Sequence, residues 1–269
     1  YKLWPGVLLA GLLVVAAGSV AAADANYQPR VGQDGKDVIW VPNPEAMVEK
    51  MLDMAAVTAQ DFVIDLGSGD GRNVIGAAKR GARARGVEFN PDLVEHSRRL
   101  AAAAGVAART EFVQGDMFAA DVSQASVLAL FLLPDNLRKL TPKFIDMKPG
   151  SRIVSNTYEI PGWPSDKSET VRGECAAFCI VFLYVVPAKV AGVWRTADGD
   201  ITLEQDYQRL SGSYVYNGIT LPLENARMNG LEIRFTANGV EYSGRVDGDV
   251  MQGAAKGRHE FEWRAVRVP

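Results

Sequence analysis

Three rhythms of apolar and polar positions divide the 269-residue chain. From Leu3 to Ala23 the run is apolar, without a single charge. From residue 44 to 158, short continuous apolar runs alternate with stretches at helical spacing. FVIDLG (62–67), ARGVEF (84–89), TEFVQGD (110–116), SVLALFLL (126–133) and SRIVSNTY (151–158) read as strands. PEAMVEKMLDMAAV (44–57), NVIGAAKRG (73–81), PDLVEHSRRLAAAAG (91–105) and LRKLTPKFIDM (137–147) read as helices, with Met47, Met51 and Met54 as core positions. Near-continuous apolar strands separated by helices predict a parallel sheet covered on both faces, over residues 38–188. From Ala191 onward, alternating runs such as LEIRFTA (231–237) and VEYSGRV (240–246) are punctuated by Asp-Gly and Asn-Gly pairs at 198, 217, 229, 238 and 247. Those dipeptides suit type I′ hairpins, so residues 190–269 are expected to form a small antiparallel β domain, a sheet or partial barrel.

The uncharged run would span roughly 31 Å as a helix. Lys2 precedes it, and Ala21-Ala22-Ala23 and Ala23-Asp24-Ala25 close it, as in a secretory signal peptide. An uncleaved membrane anchor and a buried core helix are the alternatives. Residues 1–23 are therefore expected to export the chain or tether it to the inner membrane, facing the periplasm or the cytoplasm. A polar linker is expected at 24–37.

Composition narrows the function classes. Twenty-nine basic against 32 acidic residues argue against a dedicated nucleic-acid binder. Two cysteines and two histidines leave no disulfide scaffold and no zinc ribbon. Cys175 and Cys179, on an extended strand, would lie roughly 13 Å apart, so two buried free thiols are expected. His96 reads as a surface or capping residue, and His259 has no functional reading.

The chemistry concentrates at Asp65-Leu66-Gly67-Ser68-Gly69-Asp70-Gly71-Arg72, directly after one strand and before a helix. Its glycines allow a sharp turn and close approach of a ligand. The third glycine comes one residue too early for a dinucleotide loop, and Asp65 and Asp70 disfavour a pyrophosphate. A cationic ligand with an amino group, such as S-adenosylmethionine, fits better. Glu88, followed by Asn90, ends the next strand, where a carboxylate can accept two ribose hydroxyls. Asp116 and Met117 end the third, placed to read an adenine edge. Asp65, Gly67, Ser68, Gly69, Asp70, Gly71, Glu88, Asn90, Asp116 and Met117 are thus the candidate cofactor residues, with no metal.

These motifs resemble the class I S-adenosylmethionine-dependent methyltransferases between about Trp40 and Pro187. VPNPEAMVEKML, LGSGDGRNVIGAAKRG, GVEFNPDLVEHSR, GWPSD and FLYVVP are more narrowly similar to the archaeal and mitochondrial protein-lysine methyltransferase group and to related exported bacterial proteins. The resemblance implies a doubly wound, mostly parallel, seven-stranded sheet and methyl transfer to a protein lysine by in-line displacement. That chemistry needs alignment and no catalytic acid or base. LFLLPD (130–135) lacks the tetrad of enzymes that methylate nucleic-acid amines. Trp40, Pro42, Pro134, Asp135 and Trp163 are the candidate acceptor-pocket residues. A small-molecule, lipid or quinone acceptor is the alternative within enzymes. A non-catalytic interaction protein working through its β domain is the alternative outside them.

Overall fold

A computed structural model describes residues 27–172, 175 and 177–269. The predicted signal peptide or anchor at 1–23 lies outside the described residues. Among those described, no helix is long and apolar enough to cross a membrane.

Seven strands form the first sheet: β1 (Phe62–Leu66), β2 (Arg83–Glu88), β3 (Thr110–Gln114), β4 (Val127–Leu130), β5 (Arg152–Asn156), β6 (Lys167–Thr170) and β7 (Ile180–Val185). Their order is β3-β2-β1-β4-β5-β7-β6. The five strands from β3 to β5 are parallel, and β7 runs antiparallel to both β5 and β6. Because neighbouring side chains point to opposite faces, the apolar run of β4 feeds two cores. Val127 and Ala129 join Met47, Val48, Met51 and Leu52 of α1 (Glu45–Met54) and Val74 and Ala77 of α2 (Arg72–Lys79). Val94 and Ala101 of α3 (Pro91–Ala103) close the same side. Leu128 and Leu130 face the other side, against Leu137, Leu140 and Phe144 of α4 (Pro134–Ile145). Both faces of the sheet are therefore covered.

Asp61 pins the rear of this sheet. Its carboxylate accepts from Ser126 Oγ (2.7 Å) and Thr58 N (2.8 Å) and pairs with Arg152. Burial works against the charge, but these bonds outweigh it and hold the carboxyl below its usual range. Its contribution to stability is thus present above the unfolded-state pKa and is lost as pH falls through the lower folded value. Asp61→Asn should flatten the acid limb of a melting-temperature profile, and an unchanged limb would count against this assignment.

The second sheet comprises β8 (Gly192–Arg195), β9 (Asp200–Asp206), β10 (Arg209–Tyr216), β11 (Ile219–Pro222), β12 (Glu224–Asn229), β13 (Glu232–Ala237), β14 (Val240–Asp247), β15 (Val250–Lys256) and β16 (Glu260–Arg267). All pairings are antiparallel, and β9 pairs back onto β10, closing the strands into a barrel around Trp194, Met228, Ile233, Phe235 and Met251. Both central residues have positive φ at Asn217-Gly218 and Asn238-Gly239, as a type I′ turn requires. At 198, 229 and 247 only the glycine does. At Asp198-Gly199, Thr196 Oγ1 receives both amides and bonds back to Gly199 O, building a different turn.

Two expectations from sequence are corrected in the α/β layer. Cys175 and Cys179 form a disulfide, with Cα atoms 5.7 Å apart. Phe178 takes φ +61°, and β7 begins only at Ile180, so the extended spacing does not apply. His96 is not on the surface: it is buried on α3, with Tyr27 edge-on at 6.3 Å. Burial, then the neighbouring Arg99, pushes its imidazole below the usual value.

Candidate active site

The site forms where β1, β2, β3 and β4 end, the edge at which open α/β sheets take ligands. Gly67, Gly69 and Gly71 have φ of +72°, +55° and +78°. Side chains would collide there: a Cβ on Gly69 would lie 2.5 Å from Trp40 Nε1, and one on Gly71 2.5 Å from the Phe112 ring. Gly71→Ala should therefore cost about 1–3 kcal/mol of stability through strain and overpacking, read by chemical denaturation. The loop is pinned from below by amides of Gly67 and Ser68, both donating to Val87 O at 2.8 and 3.0 Å.

Glu88 holds the loop from the side. Its Oε2 accepts from Gly69 N and its Oε1 from Asn90 N, each at 2.9 Å. Asn90 in turn caps α3, accepting from Asp92 N at 2.9 Å. Asp65 is buried beneath the loop, and Asn73 Nδ2 donates to it at 3.1 Å. Burial, with Glu88 and Asp70 nearby, pushes its carboxyl well above the usual range against that bond. Asp70 is held by Arg72. Among the described residues, the buried Ser68 Oγ lacks a hydrogen-bond partner.

A cavity opens beside the loop. Gly67, Glu88, Asn90, Asp116 and Met117 line one part of it, and Trp40, Phe131, Leu133, Tyr158 and Phe178 make an aromatic and apolar part. Residues 34–41 supply a wall, although 24–37 read as a linker. The segment turns back on itself, with Trp40 N donating to Gln33 O and Gly32 N to Trp40 O, both at 2.9 Å. Lys36 pairs with Asp116 and lies 4.9 Å from the Phe89 ring centroid. The Lys36 bond holds the Asp116 carboxyl below its usual range.

The acceptor candidates separate. Trp40 lines the cavity, while Pro42 and Pro134 do not, Pro134 being the first residue of α4. Asp135 is exposed and paired with Arg138. Trp163 is buried away from the cavity, between Tyr184 (5.4 Å) and Tyr207 (5.0 Å), and donates to Gln208 Oε1 at 3.1 Å. It joins the sheet to the barrel, so its bulk serves packing. The motifs single out none of Lys36, Phe89, Phe131, Tyr158 and Phe178, which the fold brings to the cavity. Tyr158 lies two residues past the end of β5, and a search for residues just past strand ends finds it.

Residues 65–167 match the ANTKMT methyltransferase domain family. A protein-lysine N-methyltransferase of Saccharolobus islandicus is 39% identical over 153 residues, 55% of this chain and 94% of that protein. The chain belongs to the class I S-adenosylmethionine-dependent methyltransferases, in the protein-lysine group. A human lysine N-methyltransferase named for an ATP synthase component is 32% identical over 164 residues, 60% of this chain and 69% of that protein. The chain spans about half of its mouse counterpart, 51%, at 34% identity. A crystal structure titled RNA methyltransferase from Salinibacter ruber, in complex with S-adenosyl-L-homocysteine, is 41% identical with a TM-score of 0.52, covering 56% of this chain and 96% of that one. The matched domain of this methyltransferase stops short of the barrel, whose first strand begins at Gly192.

Proposed function

We propose that this methyltransferase modifies a protein lysine, with its cofactor on the glycine loop and its acceptor against the aromatic wall. One observation carries the reading: a left-handed glycine cradle gripped by Glu88 opens onto a cavity walled by Trp40, Phe131, Tyr158 and Phe178. The fit to S-adenosylmethionine rests on Gly67, which brings the loop to the cavity, and on Glu88, Asn90 and Asp116, which line the same part of it. Asp65, Gly67, Ser68, Gly69, Asp70 and Gly71 would hold the amino-acid end, Glu88 and Asn90 the ribose, and Asp116 and Met117 the adenine side. When bound, the cofactor supplies an activated methyl on a sulfonium. Fixed walls align an incoming amine and exclude water, which is where the rate advantage of such a site arises. Apolar burial also favours the neutral form of a lysine, the form that can attack.

The lysine acceptor is supported by the archaeal and vertebrate relatives named for that activity. The Salinibacter neighbour's title favours an RNA acceptor instead. Asp34, Asp37, Glu88 and Asp116 outnumber Lys36 at the cavity, and the net negative charge argues against it because it repels a phosphate backbone. Export or membrane tethering is proposed from residues 3–23, and the Cys175–Cys179 disulfide supports an oxidising compartment.

The cofactor assignment predicts a pH dependence. Asp65 must ionise to meet a cationic amino group, and its folded pKa is raised. Affinity for S-adenosylhomocysteine should therefore climb as pH rises through that value, with proton release on binding. Calorimetry in buffers of different ionisation enthalpy reads the release. A pH-independent affinity, unchanged in Asp65→Asn, would remove Asp65 from the site.

A further inference from the structure

The glycine loop and the aromatic wall are joined by a chain of buried amides that the proposed function leaves unused. Asn156 Nδ2 donates to Asn43 Oδ1 at 2.7 Å, Asn43 Nδ2 to Asn73 Oδ1 at 3.1 Å, and Asn73 Nδ2 to Asp65 Oδ2 at 3.1 Å. Exposure is 0% for Asn156, 4% for Asn43 and Asn73, and 3% for Asp65, so none of these bonds competes with water. Every amide gives its donor toward Asp65 and its acceptor toward Asn156, and the run ends on a carboxylate.

The four side chains come from four separate pieces of the site. Asn43 lies three residues after Trp40, in the segment that leads from the wall into α1. Asn156 is the last residue of β5, and Thr157 Oγ1 donates to its Oδ1 at 3.0 Å. Thr157 has φ +65°, a costly conformation for a β-branched residue, and it turns the chain so that Tyr158 reaches the cavity. Asn73 sits in the first turn of α2, and Asp65 is two residues before Gly67. Arg72 adds a second tie: its Nη1 donates to the Asn43 carbonyl while its Nε donates to Asp70 Oδ1 at 2.9 Å. Burying three amides and a carboxylate costs free energy that an apolar filling would avoid. What a fully connected chain adds is direction, since each side chain is held in one orientation by the next.

We propose that Asn43 is a positioning residue that keeps the cofactor loop and the acceptor wall in one register. Through Asn73 it sets Asp65 and the approach to Gly67, and through Asn156 it sets the Thr157–Tyr158 corner. Asn43 touches neither substrate, and it acts through groups that do. In-line transfer tolerates little misplacement, so one polar chain spanning both sides serves the reaction directly. The inference rests on the proposed cofactor site.

Calorimetric titration with S-adenosylhomocysteine of the unaltered protein, Asn43→Leu, Asn156→Leu and the double variant tests it. Asn156 is on the acceptor side, yet Asn156→Leu should weaken binding about tenfold when Asn43 is present, and less than about twofold in the Asn43→Leu background. Asn43→Asp keeps the shape and the bond from Asn156 and, measured at a pH where the new carboxyl is ionised, cannot donate to Asn73. It is the second variant should leucine prevent folding, and it should show the same tenfold loss. A lowered melting temperature with affinity intact would mean a packing role only and would overturn the proposal. Equal losses from Asn156→Leu in both backgrounds would also overturn it. If the unaltered protein does not bind S-adenosylhomocysteine, the cofactor reading falls, and this inference with it.

Discussion

Glu88→Ala should weaken S-adenosylhomocysteine binding by at least about 100-fold, the largest effect expected of any single change in the cavity. In the proposed cofactor site the carboxylate would meet two ribose hydroxyls, and bonds to a charged group are each worth about 1.5–3 kcal/mol. Removing it also frees Gly69 N and Asn90 N, so the loop and the start of α3 lose their shared anchor. Glu88→Gln separates the two contributions. It keeps the shape and an acceptor oxygen, so it should recover part of the loss. Calorimetry on both variants gives the answer, and an affinity within a fewfold of the unaltered protein would place the ribose elsewhere.

Trp163→Ala should do the opposite, costing stability and sparing the cofactor. The side chain is 2% exposed, and truncating a buried tryptophan costs about 3–5 kcal/mol. The loss also removes the bond to Gln208, whose Nε2 donates to the Pro164 carbonyl, and the stack on Tyr207. Arg227–Asp166 at 3.0 Å then remains as a side-chain tie between sheet and barrel. Scanning calorimetry should show a lower and divided transition, while the affinity for S-adenosylhomocysteine at low temperature stays within about threefold. A normal melting curve with weakened acceptor binding would return Trp163 to the pocket.

The difference between these residues shows what the sequence makes legible. A glycine loop between an apolar run and a helix, with acids at the next two strand ends, is a local pattern with one geometric meaning. Both cores likewise follow from period and burial. Trp163 is not legible in that way. An aromatic side chain near a motif suits a wall or a core equally, and its decisive partner, Gln208, is 45 residues away in the turn between β9 and β10. The segment at 24–37 reads as linker because it is polar. Only the fold brings Lys36 to Asp116, 80 residues on, and Trp40 over Gly69. Cys175 and Cys179 read as part of a strand that in fact begins one residue later, at Ile180, and the disulfide leaves no mark in the apolar pattern.

The amide chain under the loop belongs to the same class. Asn43, Asn73 and Asn156 carry no signal in sequence, since asparagine is common at caps and turns. Their meaning comes from burial in a single line, which needs α1, α2 and β5 to meet. A reading by period and motif finds the loop and, of the wall, Trp40; the rest of the wall and the connection to the loop are tertiary.

Transfer of tritiated methyl from S-adenosylmethionine is the most direct test of the central claim. The protein is incubated with solubilised membrane proteins, total RNA and extracted lipid, each fraction is counted, and the labelled protein is hydrolysed for amino-acid analysis. The account predicts label in the protein fraction, recovered as methylated lysine and abolished by Glu88→Ala. Label in RNA or lipid with none in lysine would contradict it.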